Sequence, residues 1–446
     1  MAKITFLGGG ALRLLGVVDE ILKSRKVFSK PDLFFMDTDL ARAQTVAMLS
    51  TKLPAAADNM PIARATDDLG EALEGADFVY CCIRVGGVHS LERDKRIAAS
   101  HGFNGHDDFG PSAVMLAART IPVVLDIAAQ MQWRCPDAWL LIFTNPITLL
   151  ADAVARHSRI RCVGLCAGVY NFAYDMDHLF DIGVPCDGLT YRGGGLNHLS
   201  WVSNTATFQG EPIMRMVRRS FDDLADRPGA ERAGWERLAP LVDLYDAMFM
   251  NNGHQHHFFY HEELARETAE RYVNASPDGL RSVEQERAAD QARALAQQSV
   301  IEDFWQQPPF RNCAAGAMGD LGAQFMSSVI QDAGLELGIN IPNRGHILGL
   351  PDDTLVEAHS RVWKDRLEPL ALDPVPNELK GLCCHLAHHQ RLVTEASIKS
   401  DRDALLRALL AEPTINCYRR AKRAFDELWS AGEAQINEAV STVRTP

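Results

Sequence analysis

The chain has 446 residues, 47% of them apolar, and a formal net charge of -13. That length supports a large core and ordinarily divides into two domains, while the negative field excludes nucleic acid and anionic membrane as general partners. No apolar run in the sequence approaches the roughly 18–20 residues of a bilayer span, and MAKITFLGGG has no basic segment leading into a long apolar one, so no membrane partner and a cytoplasmic location are expected.

Lys3 to Leu7 reads as a short strand running into Gly8, Gly9 and Gly10, with ALRLLGVVDEILKS at helical period behind it and DLFFMDTD as a second strand ending at Asp37. In such a unit glycines let backbone N–H groups approach a pyrophosphate, and an acid closing the second strand accepts from the adenosine ribose. Asp37 is the candidate acid, and Arg13 stands where a third glycine of GxGxxG would fall. The alternation continues with helix DDLGEALEGA, strand DFVYCCIRV, a helix through RTIPVVLDIAAQMQ, strand AWLLIFTNP, helix ITLLADAVARH and strand RCVGLC. Strands separated by helices predict a Rossmann-like doubly wound parallel sheet over residues 1–168. Ligands of open sheets lie beyond the carboxyl ends of the strands, where Gly8, Arg84, Asn145 and Cys166 all fall. Beyond about residue 170 the regular alternation stops, with helical stretches near 211–250 and 283–305, and residues 169–446 read as a mixed α+β substrate domain. TEASIKSDRDALLRALL is amphipathic and is expected to pack back on the core.

Ten cysteines in a chain this long are too dilute for a disulfide framework and read as reduced thiols. Cys166 in VGLCAGVYN and His198 in GGGLNHLSW stand apart from the rest. A thiolate and an imidazole with added oxygen ligands suit a borderline divalent ion that keeps positions open for substrate oxygens. Set against a nicotinamide cofactor, such a pair points to redox chemistry on a hydroxylated substrate.

Taken together, KITFLGGG, IRVGG at 83–87, RTIPVV at 119–124, TNP at 144–146, GLC at 164–166, GLNHLSWV at 195–202, NIPNRG with LPDD at 340–353, and the segment 394–410 resemble glycoside hydrolase family 4, most closely its 6-phospho-β-glucosidase branch. The resemblance runs almost end to end. It implies a lactate/malate dehydrogenase-like fold and a glycosidase that uses NAD and a divalent metal, most often Mn, in place of a carboxylate pair. The implied chemistry is oxidation at C3, loss of the C2 proton and of the C1 leaving group, addition of water and return of the hydride. Cys166 and His198 match the metal ligands, Asn145 and Asn197 fall in the substrate-site motifs, and Arg84 is placed to fork onto an anionic group. A homo-oligomer, dimer or tetramer, is also implied.

Three departures from that pattern matter. The QETTG stretch is replaced by His106-Asp107-Asp108-Phe109-Gly110, which makes Asp108 a candidate acid. The run whose first tyrosine is the proposed C2 base aligns with His254-Gln255-His256-His257-Phe258-Phe259-Tyr260-His261, and glutamine at 255 cannot take that proton. His256 is the first candidate for the role, with Tyr260, Tyr245 or a metal-held hydroxide behind it. Finally, Gly319 to Phe325 carries Asp320 in a usually basic neighbourhood, so the substrate is a glycoside that is 6-phosphorylated, plain or uronic. Two other functions compete: an NAD-dependent sugar or hydroxy acid dehydrogenase, which would release NADH, and an NAD-binding sensor without turnover.

Overall fold

The computed structural model describes residues 2–170, 172, 176, 189–222, 229–250, 254–273, 318–372 and 376–443. The first six strands are β1 (Lys3–Leu7), β2 (Asp32–Met36), β3 (Ile62–Thr66), β4 (Phe78–Cys81), β5 (Trp139–Ile142) and β6 (Arg161–Gly164), all paired in parallel. Their near-continuous apolar runs suit strands covered on both faces. The period of two sends Phe78 and Tyr80 to one face and Val79 and Cys81 to the other. Helices Leu14–Lys23, Leu40–Ser50 and Met318–Gln331 cover the first face, and Gly110–Arg134, Ile147–His157, Asn377–Lys399 and Tyr418–Val443 cover the second.

Further along come β7 (Leu189–Thr190), β8 (Gly194–Leu196), β9 (Leu199–Ser203), β10 (Thr207–Phe208), β11 (Glu211–Pro212), β12 (Ala247–Phe249), β13 (Leu335–Pro342), β14 (Leu355–Val362) and β15 (Leu367–Pro369). Six of these later strands, β8, β9, β12, β13, β14 and β15, extend the parallel sheet. Asn340 of β13 pairs antiparallel with Gly164 of β6, and the order β12-β9-β8-β14-β13-β6-β5-β4-β1-β2-β3, with β15 beside β14, makes one twelve-stranded sheet. A small sheet, β11-β10-β7, stands apart.

The C-terminal helices return to the N-terminal half. Asn377–Lys399 and Tyr418–Val443 both pack on Gly110–Arg134, burying Val393, Phe425 and Leu428. The amphipathic segment 394–410 is part of this packing, with Ala396, Leu405 and Leu409 buried. Among the described helices Gly110–Arg134 is the one long and apolar enough to cross a membrane, an apolar stretch longer than the sequence reading recognised. It is the central core helix, and 78% of its apolar window is buried. The expected helical stretch near 283–305 lies outside the described residues.

Candidate active site

The carboxyl ends of the parallel strands open on one cleft of about 1160 Å³, lined by Gly8 after β1, Asp37 after β2, Arg84 after β4, Asn145 after β5 and Cys166 after β6. From β2 to β6 is four strand spacings, roughly 19 Å at about 4.8 Å each, a span that takes an extended dinucleotide. At the β2 end the Asp37 carboxylate organises the glycine loop. Its Oδ2 accepts from Gly10 N at 2.9 Å and its Oδ1 from Asp39 N at 3.0 Å. Gly8 has φ +74°, and a Cβ there would stand 2.3 Å from the Cys82 carbonyl oxygen. At Gly9 a Cβ would meet the Phe35–Met36 backbone at 2.7 Å. Only Gly8 of the three glycines lines the cleft itself; Gly9 and Gly10 shape the turn behind it. These residues fit NAD: the backbone lies bare along the cleft, with a carboxylate at the end where a ribose would lie.

Cys166 and His198 meet at the other end. Cys166 Sγ is 3.4 Å from His198 Nε2, and both residues are buried at the cleft wall. His198 occupies the two-residue turn between β8 and β9, with Leu196 paired to Leu199. Its φ of +64° is a left-handed conformation that costs a non-glycine residue roughly 1–2 kcal/mol. Behind it, Asp108 Oδ2 lies 3.0 Å from His198 Nδ1 and accepts from Asn145 Nδ2 at 3.1 Å. Once the ring is neutral, a carboxylate beside Nδ1 favours the hydrogen there and leaves the Nε2 lone pair toward the thiol, which is how metal-ligating histidines are held. A soft sulfur and an imidazole nitrogen in contact, with open cleft in front, fit a divalent metal with room for substrate. Burial opposes charge on His198, but the carboxylate of Asp108 and the sulfur of Cys166 outweigh it and push its pKa well above the usual 6.5.

Asp108 therefore sits behind the Cys166–His198 pair, with its side chain almost wholly buried, and it is not among the residues facing the cleft. Asn197 is likewise turned inward: 3% exposed, it donates to Glu357 Oε2 at 3.1 Å and does not reach the substrate space. Arg84 does face the cleft. Among the described residues it pairs loosely with Asp107 at 4.0 Å, and that carboxylate is held more closely by Lys95 at 2.6 Å.

The histidine segment divides by face. His254 lines the cleft, where its ring stacks on His198 at 4.1 Å and 15°. His257 and Phe258 pack on Phe109. His256 and Tyr260, four residues apart on a helical turn, share the opposite face. There they meet edge to face, and the Tyr260 hydroxyl donates to the Arg237 carbonyl at 2.9 Å. Burial and the Arg237 charge lower His256 to about 4. The fold thus turns His256 and Tyr260 away from the chemistry assigned to them, and Gln255 and Tyr245 are also absent from the cleft wall. Burial lowers His254 to about 3 and takes His106 well below its ordinary value.

The Family 4 glycosyl hydrolase model matches residues 3–182, and the model of the family's C-terminal domain matches residues 194–415. The chain belongs to the family 4 glycosyl hydrolases. It is 26% identical to a probable 6-phospho-beta-glucosidase of Bacillus subtilis, with 97% of each chain covered. It is 23% identical to an alpha-galacturonidase of Thermoanaerobacter italicus, covering 96% of this chain and 95% of that one. The structure of the Thermotoga maritima 6-phospho-beta-glucosidase with manganese, NAD+ and glucose-6-phosphate superposes with a TM-score of 0.80 at 20% identity, covering 97% of this chain and 99% of that one.

In this family 4 chain Glu357 supports the site without any mark in the sequence motifs. Wholly buried on β14, it accepts from Val169 N at 2.9 Å, three residues past Cys166, and from Asn197, next to His198. One carboxylate so ties together the two segments that carry the thiol and the imidazole. The available signal was an acid inside LVEAHSRV, since a buried charge is kept only where it is partnered.

Proposed function

We propose that the cleft hydrolyses an O-glycoside whose sugar carries an anionic group, phosphate or carboxylate, by NAD-dependent oxidation and re-reduction with a divalent metal. The observation that carries this reading is the contact of Cys166 Sγ with His198 Nε2 at the end of a cleft that continues to Gly8 and Asp37. Asp37 would accept from ribose hydroxyls, while Cys166 and His198 would hold the cation, most fittingly Mn. When bound, the nicotinamide accepts and returns a hydride at C3, and the cation stabilises negative charge on the sugar's O2 and O3. Asn145 spends one amide hydrogen on Asp108 and keeps a donor and an acceptor for the sugar's hydroxyls. Arg84 forks onto the anionic group. Asp108 and Glu357 keep the metal-holding side chains in place. The free thiol at Cys166 suits a reducing, cytoplasmic compartment; the eight described cysteines are all unpaired.

The test is hydrolysis of nitrophenyl glycosides, phosphorylated, uronic and plain, with NAD, Mn and a thiol reductant, omitting each addition in turn. Release that needs both NAD and Mn, without net NADH, supports the reading. Release indifferent to NAD refutes the redox route, and net NADH makes the protein a dehydrogenase. A preference for plain sugars removes Arg84 from substrate binding.

A further inference from the structure

Two of the departures from the family pattern meet in space. His106, from the segment 106–110, places its Nε2 2.7 Å from Nδ1 of His254, from the segment 254–261. The other nitrogen of His106, Nδ1, accepts from the main-chain N–H of Asp108 at 3.0 Å.

These contacts fix where the protons are. A main-chain N–H can only donate, so His106 Nδ1 carries a lone pair and the ring's hydrogen is on Nε2. That N–H points at His254 Nδ1, which must then be the acceptor, since two donors do not face one another at 2.7 Å. His254 is left with its hydrogen on Nε2, which has no protein partner among the described residues, on a ring that lines the cleft and stacks against His198.

His106, His198 and His254 also offer nitrogen atoms within 4.8 Å of one another, a spacing compatible with a cation. The stacking opposes that use. Imidazole lone pairs lie in the ring plane, and the planes of His198 and His254 are near parallel with centroids 4.1 Å apart, so they do not converge on one ion. A shared ion would also have to displace the hydrogen between His106 and His254.

We propose that His254 is a fixed hydrogen-bond donor to a substrate oxygen beside the Cys166–His198 pair, with its tautomer dictated by the Asp108 main chain through His106. His106 is a positioning residue. The assignment rests on the glycosidase reading for the identity of the substrate, but the tautomer does not. In this role His254 stabilises an oxygen that gains negative charge, and it is not the base for the C2 proton, because its only free ring nitrogen already bears a hydrogen.

Two measurements test this. In [15N]histidine-labelled protein without metal or substrate, ring nitrogen shifts assigned with His254→Gln should show Nδ1 of both His106 and His254 unprotonated and both Nε2 atoms protonated. A protonated Nδ1 on His254 overturns the proposal, whatever the protein's activity. On the best glycoside of the panel, His254→Ala should lower kcat by about 10²–10³-fold, the usual loss for one oxyanion donor. His254→Gln, whose amide also donates, should recover to within about tenfold of wild type. Equal loss in both variants, with metal and NAD still bound, would refute the donor role. A wild-type protein inactive on every glycoside defeats the glycosidase reading and leaves the shift measurement to decide the tautomer.

Discussion

Replacing Asp108 by asparagine keeps the shape of the side chain and removes its charge. In the protein one oxygen, Oδ2, serves both His198 Nδ1 at 3.0 Å and Asn145 Nδ2 at 3.1 Å. The variant's amide oxygen can still face Nδ1 there, but the His198 ring loses the carboxylate charge that would make it a better ligand. Loss of such a partner costs 10–100-fold in metal affinity, about 1.4–2.7 kcal/mol. A second effect has the opposite sign. The same carboxylate raises the pKa of His198 in the metal-free protein, so at neutral pH the wild type must expel a proton before Nε2 can bind. The variant holds that proton less tightly. Titration of Mn by electron paramagnetic resonance, with NAD binding followed by fluorescence, should show the full loss at alkaline pH, a smaller gap as pH falls, and unchanged NAD affinity. A metal affinity equal to wild type at alkaline pH, or a loss that grows on acidification, would refute the reasoning.

Gly8→Ala puts a Cβ 2.3 Å from a carbonyl oxygen at φ +74°. The left-handed conformation alone costs about 1–2 kcal/mol, so NAD affinity measured by calorimetry should fall roughly tenfold or more while Mn affinity holds. Glu357→Gln turns an acceptor into a donor against either Val169 N–H or the Asn197 amide, which costs about 1–3 kcal/mol. It should lower both the thermal midpoint and Mn affinity, and a variant that loses neither would contradict the clamp. Buried Glu412 accepts from Thr414 N and lies 3.2 Å from His257 Nε2; burial opposes its charge, but the contacts with His257 hold its pKa below the usual 4.5. Its contribution to stability is therefore complete above about pH 4.5 and is lost as pH falls through the lower folded value. Glu412→Gln should be less stable at pH 7, with the gap to wild type closing in acid, as read by denaturant unfolding across pH.

The parallel half of the sheet was legible because ITFL, LFFM, FVYC and WLLI are apolar runs punctuated by glycine and helical periods. The strand β3 escaped notice: it is an edge strand whose IARAT carries an exposed Ile62 and no continuous apolar signal. The merging of both halves into one sheet depends on a single pairing, Asn340 with Gly164, between residues far apart in sequence. Local pattern does not report such a contact. At the site, Cys166 and His198 stood out by residue type, and the structure brings them together. Asn197, next to His198 in sequence, turns to Glu357 instead of the cleft, because neighbouring side chains of a tight turn diverge. The choice among the histidines of 254–261 depended on helical phase, which the run HQHHFFYH leaves open because both of its faces are aromatic or polar.

The most direct test of the redox reading is where deuterium appears when the reaction is run in D2O on a glycoside that the protein cleaves. Loss and recovery of the C2 proton predict a product sugar carrying deuterium at C2, with the original hydrogen kept at C3 by the returning hydride. A product with no deuterium at C2 would mean that the glycosidic bond breaks without activating that carbon, and the redox account would be wrong.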